Sequence, residues 1–267
     1  MKRLDDRRAD QMRPLSVIYD VYQFAPGSVL FQMGSTKVLC AVSIENSVPS
    51  FLRGKNSGWL TAEYALLPAS TLQRTPREAS TMKRAGRSVE ISRLISRTLR
   101  MAVDVCALGE RTVYIDCDVL QADGGTRTAS INGSYLALRQ AQQRWLAQGI
   151  IDRPFIVREL AAFSVGISRD SVMLDPDYQE DSSGDADINV IMTRDNRVIE
   201  IQGGAEKHPF SWDQFEVLKE YTQKGCNELF ALYDAQLPPI DDLLPKQSLK
   251  HNKKNSLFSL TNRKITL

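Results

Sequence analysis

Two stretches of the chain carry side chains that could act on a phosphate. The first is Asp123-Gly124-Gly125-Thr126-Arg127. Paired glycines permit a turn whose backbone angles other residues avoid. If a helix begins just after them, its free N–H groups and dipole favour an anion. Arg127 would add a planar fork matching phosphate oxygens. The second stretch is the acidic run at 175–187, holding Asp175, Asp177, Glu180, Asp181, Asp185 and Asp187 with no base among them. Asp181 and Asp187 flank Ser182-Ser183-Gly184, so a turn there lets both converge on one cation. Mg²⁺ is suited to one or two carboxylates and retained waters. The same residues are also compatible with a plain tight turn and a solvated acidic loop.

The surrounding pattern must position these groups. Val113, Ile115, Cys117 and Val119 alternate with Tyr114, Asp116 and Asp118, which predicts a strand leading into the glycines. Behind Thr126 a helix is expected, with Ile131, Tyr135, Leu138 and Leu146 near one face and Gly149 as its stop. Upstream, residues 14–45 read as antiparallel strands, and Gly58–Leu67 as a further strand ended by Pro68. Residues 68–86 lack apolar periodicity and predict a mobile surface loop. A helix over 87–106 follows, its stripe made by Ile91, Leu94, Ile95, Leu99 and Ala102. Arg93, Arg97 and Arg100 share the opposite face, open to solvent, RNA or another subunit's acids. Arg87, at the helix start, opposes the helix dipole, which suggests that an anion is bound nearby.

After Gly149 the connector IIDRPF, with Pro154, is the best internal boundary. It separates a first half, 11–149, from a second, 155–235. Strands are expected at Phe155–Leu160, Ala162–Ser168, Ser171–Leu174, Ile188–Met192 and Val198–Gln202. Asp187 and Asn189 then fall on one side of the pleat. Ser211 opens a helix through a capping box with Gln214, followed by Phe215, Leu218 and Tyr221 on its buried stripe. The segment 236–267 turns polar and basic and predicts a disordered tail.

Composition narrows the function classes. The chain has 267 residues, 42% hydrophobic and 25% charged, which suits one large or two small globular domains. No apolar run is long enough to span a membrane. MKRLDDRRADQMRP lacks the apolar core of a secretory signal. Cys40, Cys106, Cys117 and Cys226 are scattered, which predicts buried free thiols in a reducing cytosol rather than a zinc site. With only His208 and His251, no Ser-His-Asp triad is evident, and phosphoryl chemistry does not need one. Residues 71–100 hold eight bases against two acids. A basic field beside an acidic cluster suits a polyanion and a divalent metal. Arg74, Arg77, Lys83, Arg84 and Arg93 are the candidate RNA contacts.

The motifs GWLTAEY at 58–64, GRSVEISRLISRTLR at 86–100 and ERTVYIDCDVLQADGGTRTASI at 110–131 resemble the bacterial ribonuclease PH family. LDPDYQEDS at 174–182, DINVIM at 187–192 and EIQGGAE at 200–206 extend the likeness to about residues 11–235. The resemblance implies an α+β fold of the ribosomal-protein-S5-like type, with two βαβα-like halves packed together. It implies a phosphorolytic 3′→5′ exoribonuclease that trims tRNA precursors, using inorganic phosphate and releasing nucleoside diphosphates. Arg87, Gly125, Thr126 and Arg127 would bind phosphate, and Asp181 and Asp187 would bind Mg²⁺ or act in acid catalysis. A cytoplasmic homo-hexamer, a trimer of dimers, is implied as well. The other reading is a non-catalytic RNA-binding ring subunit of an exosome-like assembly. The opening LDDRRADQMRP lacks the family's usual Asp-Gly-Arg turn, and Ser92 stands where glutamine is usual.

Overall fold

The computed structural model describes residues 3, 5–81, 85–169 and 171–237. The elements run β1 Leu15–Tyr19, β2 Gly27–Met33, β3 Thr36–Glu45, β4 Trp59–Leu66, α1 Glu78–Thr81, α2 Gly86–Ala102, β5 Thr112–Gln121 and α3 Thr126–Ala147. They continue with β6 Leu160–Ser168, β7 Ser171–Leu174, α4 Tyr178–Ser183, β8 Ala186–Thr193, β9 Val198–Ala205 and α5 Trp212–Gln236. Two sheets result, one ordered β1-β2-β3-β5-β4 and the other β7-β6-β8-β9. Most pairings are antiparallel; β4 and β5 run parallel, because α2 returns the chain between them.

Helix α3 lies between the sheets, against β2 and β3 on one side and β6 and β8 on the other. It is therefore buried nearly all round, not along the single stripe that Ile131, Tyr135, Leu138 and Leu146 suggest. Its small polar residues are satisfied locally. Ser130 donates to the Thr126 carbonyl at 2.8 Å, and Asn132 makes both amide bonds to Ala162, at 2.8 and 2.9 Å. Gly133 lets the first sheet close on the helix, since a Cβ there would sit 2.8 Å from Cys40 Sγ.

Several expected boundaries shift for identifiable reasons. Helix α2 ends at Ala102 rather than 106, because Val103 turns extended and bridges Ile156. A 3₁₀ turn, Val105–Leu108, follows, capped by Asp104. Phe155–Leu160 is not a strand. The amides of Phe155 and Ile156 donate to Gln142 Oε1, at 2.8 and 2.7 Å, so they are unavailable for a ladder. The acidic run does not form a simple turn but builds α4, whose capping box joins Asp177 and Glu180. Within 68–86, residues 78–81 form a helical turn, and 82–84 lie outside the described residues. Cys40, Cys117 and Cys226 are buried free thiols, whereas Cys106, on the 3₁₀ turn, is exposed. The tail beyond 237 lies outside the described residues. No helix among the described residues is long and apolar enough to cross a membrane.

Candidate active site

The predicted anion site forms where β5 turns into α3. Gly124 and Gly125 both adopt left-handed backbone, with φ of +75° and +64°. No side chain among the described residues caps the helix, so the first amides of α3 keep their outward-facing N–H groups. The turn is braced from outside. Thr36 donates to the Gly124 carbonyl at 2.7 Å and accepts from the Asp123 amide at 3.0 Å. Arg13 donates to the Asp123 carbonyl. Tyr64, on the parallel neighbour β4, donates its hydroxyl to Thr126 Oγ1 at 2.9 Å.

The turn opens on a cleft of about 570 Å³. Arg87, Gly125, Thr126 and Arg127 line it together with Asp181 and Asp187. All six residues proposed from sequence for phosphate and metal therefore share one cavity. Ser164, Asn189, Tyr178 and the loop residues Thr71, Leu72, Gln73 and Thr75 complete its wall. The loop's basic residues Arg74 and Arg77 are exposed, as is Arg93 on α2. Lys83 and Arg84 lie outside the described residues.

The six acids of the 175–187 run take separate roles. Asp175 is buried under Arg13, and Asp177 caps α4. Glu180 accepts from Arg3 Nε and Nη2, at 2.8 and 2.6 Å. Asp185 pairs with His208 Nδ1 at 2.9 Å, which makes this exposed histidine a hydrogen-bond partner rather than a member of the cleft. Asp181 and Asp187 remain for the cleft. Ser164 donates to Asp187 Oδ1 at 2.6 Å, and Asn189 donates to Oδ2 at 3.2 Å. Burial, then the charges of Asp187 and Glu206, push the Asp181 carboxyl up to about 6, while Arg87 and Arg127 oppose the shift. A carboxyl raised in this way favours keeping either its proton or a bound cation. With no third His, Cys, Asp or Glu completing a cluster among the described residues, the donor set fits a Mg²⁺ that keeps several waters.

The row Arg93, Arg97 and Arg100 does not act as one outward face. Arg97 pairs with Glu200, while Arg100 donates to the Leu60 carbonyl at 2.9 Å and covers the Trp59 ring. The sequence reading missed Tyr64, Glu90, Ser164 and Gln202. Ser164 had a usable signal, since it pairs with Asn189 across β6 and β8 on the face that carries Asp187. The other three are distant in sequence from what they touch.

Known proteins resemble the chain at three levels. A model of the 3′ exoribonuclease family, domain 1, matches residues 11–143, and the model of its domain 2 matches 160–224. A ribonuclease PH from Syntrophomonas wolfei is 52% identical over 232 residues, covering 87% of this chain and 97% of that protein. Among solved structures, a chain of the Archaeoglobus fulgidus exosome with RNA bound to the active site superposes with a TM-score of 0.74 at 21% identity. That match covers 87% of this chain and 92% of the other. A chain of an archaeal exosome core gives 0.69 at 21% identity, covering 87% and 91%. At such identities these two structures speak for the fold alone.

Proposed function

Since the chain belongs to the ribonuclease PH family of 3′ exoribonucleases, and is accordingly a phosphorolytic 3′→5′ exoribonuclease, we propose that the cleft at the start of α3 is where phosphate meets the RNA 3′ end. The observation that carries this reading is the convergence of Arg87 and Arg127 with Asp181 and Asp187 around one cavity.

Inorganic phosphate sits on the first amides of α3, with Thr126 and the guanidinium groups of Arg87 and Arg127. One phosphate oxygen attacks the phosphorus of the terminal phosphodiester. The bond from that phosphorus to the penultimate 3′-oxygen breaks, and a nucleoside diphosphate leaves. The difficulty is holding two anions together: at ~4 Å two unit charges repel by about 4 kcal/mol at an effective dielectric of 20. The two arginines offset that repulsion before reaction, at no reorganisation cost in the transition state. The leaving 3′-oxygen must gain a proton. Asp181, whose carboxyl holds its proton up to about 6, is the group suited to give one. Ser164 and Asn189 hold Asp187 in a fixed orientation beside it. Once Asp181 has lost its proton, the pair has the other role open to it: a Mg²⁺ held by Asp181 and Asp187 would supply charge neutralisation at the scissile phosphate.

The finer parts of the reading are tRNA precursor 3′ ends as substrate, RNA contacts from Arg74, Arg77, Lys83, Arg84 and Arg93, and a cytoplasmic homo-hexamer. The test is incubation with a 3′-extended tRNA, Mg²⁺ and phosphate. Nucleoside diphosphates that appear only with phosphate support the reading. Monophosphates, or no product, would overturn it, the latter favouring a non-catalytic RNA-binding ring subunit.

A further inference from the structure

Helix α2 and strand β9 are stitched together at two points. Glu90 and Arg97 stand seven residues apart, two turns along one helix face. Glu200 and Gln202 stand two apart, on one face of the strand. Arg97 grips Glu200 through two nitrogens, its Nε at 2.7 Å. Gln202 Nε2 donates to Glu90 Oε1 at 2.8 Å. The first stitch ends there, but the second has a third member. Glu90 Oε2 accepts from Arg127 Nη2 at 3.1 Å. One carboxylate thus links both halves of the fold to the arginine in the first turn of α3.

Arg127 is otherwise underused. Its Nε–H is buried with no acceptor among the described residues. An arginine beside a second cation, Arg87, would swing away unless something held it. Burial pushes the Glu90 carboxyl up, but the bond from Gln202 and the charges of Arg127 and Arg87 outweigh this and keep it below the usual range. The group is an anion throughout the working pH range, so it can hold a guanidinium permanently.

We infer that Glu90 is a positioning residue for the phosphate co-substrate. It takes one N–H of Arg127 Nη2 and so holds the guanidinium beside the cleft with its remaining N–H groups available to the incoming anion, while Gln202 fixes Glu90 from the second sheet. The inference rests on the reading of Arg127 as the phosphate arginine.

The test compares full-length variants by nucleoside diphosphate release at varied phosphate and saturating RNA and Mg²⁺, and then at varied RNA. Glu90→Ala raises the KM for phosphate at least about tenfold, the scale of a hydrogen bond to a charged group, and leaves the KM for RNA unchanged. Glu90→Gln, which keeps an acceptor oxygen, recovers part of the loss. Gln202→Leu raises the phosphate KM less than Glu90→Ala does. Glu200→Gln weakens the neighbouring stitch and leaves the phosphate KM at the parent value. The rise in melting temperature produced by added phosphate shrinks in Glu90→Ala. Equal effects of Glu90→Ala and Glu200→Gln, or no effect of either, would overturn the inference by making the contact structural glue. Should Glu90→Ala not fold, an unchanged phosphate KM in both Glu90→Gln and Gln202→Leu would overturn it equally. Arg127→Ala is the reference. If it keeps the parent's phosphate KM, the reading of the site fails as well; if it alone is impaired, only the role of Glu90 fails.

Discussion

Arg13 and Asp175, 162 residues apart, form a buried two-pronged ion pair: Nε meets Oδ2 at 2.9 Å and Nη2 meets Oδ1 at 2.6 Å. The Arg13 backbone amide adds a third bond to the same carboxylate at 2.8 Å. The guanidinium also donates to the Asp123 carbonyl, just before the glycine turn. One side chain therefore fixes the anion-binding turn against the strand end from which the acidic run departs. Removing one partner leaves the other charged and buried, which costs about 3–5 kcal/mol. Asp175→Ala should lower stability on that scale, read as a fall in the urea midpoint, and should reduce turnover in the molecules still folded. A loss under about 1 kcal/mol would show that the pair does not set the geometry.

The two glycines of the turn should differ in their tolerance. Both are left-handed, a conformation that costs other residues of order 1–3 kcal/mol. A Cβ on Gly124 would also lie 2.5 Å from the Pro176 carbonyl oxygen, a backbone atom at the entrance to α4. On Gly125 it would meet only the ends of side chains, Arg13 Nη2 at 3.3 Å and Thr128 Oγ1 at 3.4 Å. Gly124→Ala should therefore be the more destabilising in thermal melts, and the more damaging to phosphorolysis. The reverse order would sink the argument.

What could be read from the sequence was local. The strand, the glycine pair and the helix start are contiguous, so the anion site is visible in one stretch of chain. Arg87 stands out because a cation at a helix start opposes the dipole. Asp187 and Asn189 follow from the period of two. What the sequence hides is decided by distant partners. The bases of the opening segment look like solvated charge, yet Arg3, Arg7 and Arg13 are buried against Glu180 and Asp175. Gln142 takes the amides that would otherwise extend β6. The capping box over Asp177 and Glu180 was present in the sequence, but six acids in thirteen residues read as one cluster and masked it.

Arg127 carries the main electrostatic burden of the proposed chemistry. Its loss removes a fixed donor facing the charge that develops in the transition state, typically about 10²-fold or more in rate. Arg127→Ala should lose at least that much phosphorolysis at saturating RNA, measured by nucleoside diphosphate release. Arg127→Lys should not restore it, because an ammonium cannot hold Glu90 and a phosphate oxygen through one planar fork. Near-parent turnover of Arg127→Ala at saturating phosphate would remove this residue from the mechanism.

Asp181 gives a prediction in which stability and activity move in opposite directions. Burial, then Asp187 and Glu206, raise its carboxyl from 3.8 to about 6 in the fold. The folded state thus holds this proton more tightly than the unfolded chain does. Its stabilising effect is fully present below about 4 and is lost as pH rises through about 6. At neutral pH the ionised group is a burden, which a neutral isostere would not carry. Asp181→Asn should melt above the parent protein at pH 7.5, with the gap closing by pH 4, while phosphorolysis is lost. Mg²⁺ should stabilise the parent more at pH 7.5 than at pH 5, because the ligand must first lose its proton, and should do so less in Asp181→Asn. Melting profiles of parent and variant that run parallel from pH 4 to 7.5 would show that Asp181 is not the strained member of the pair.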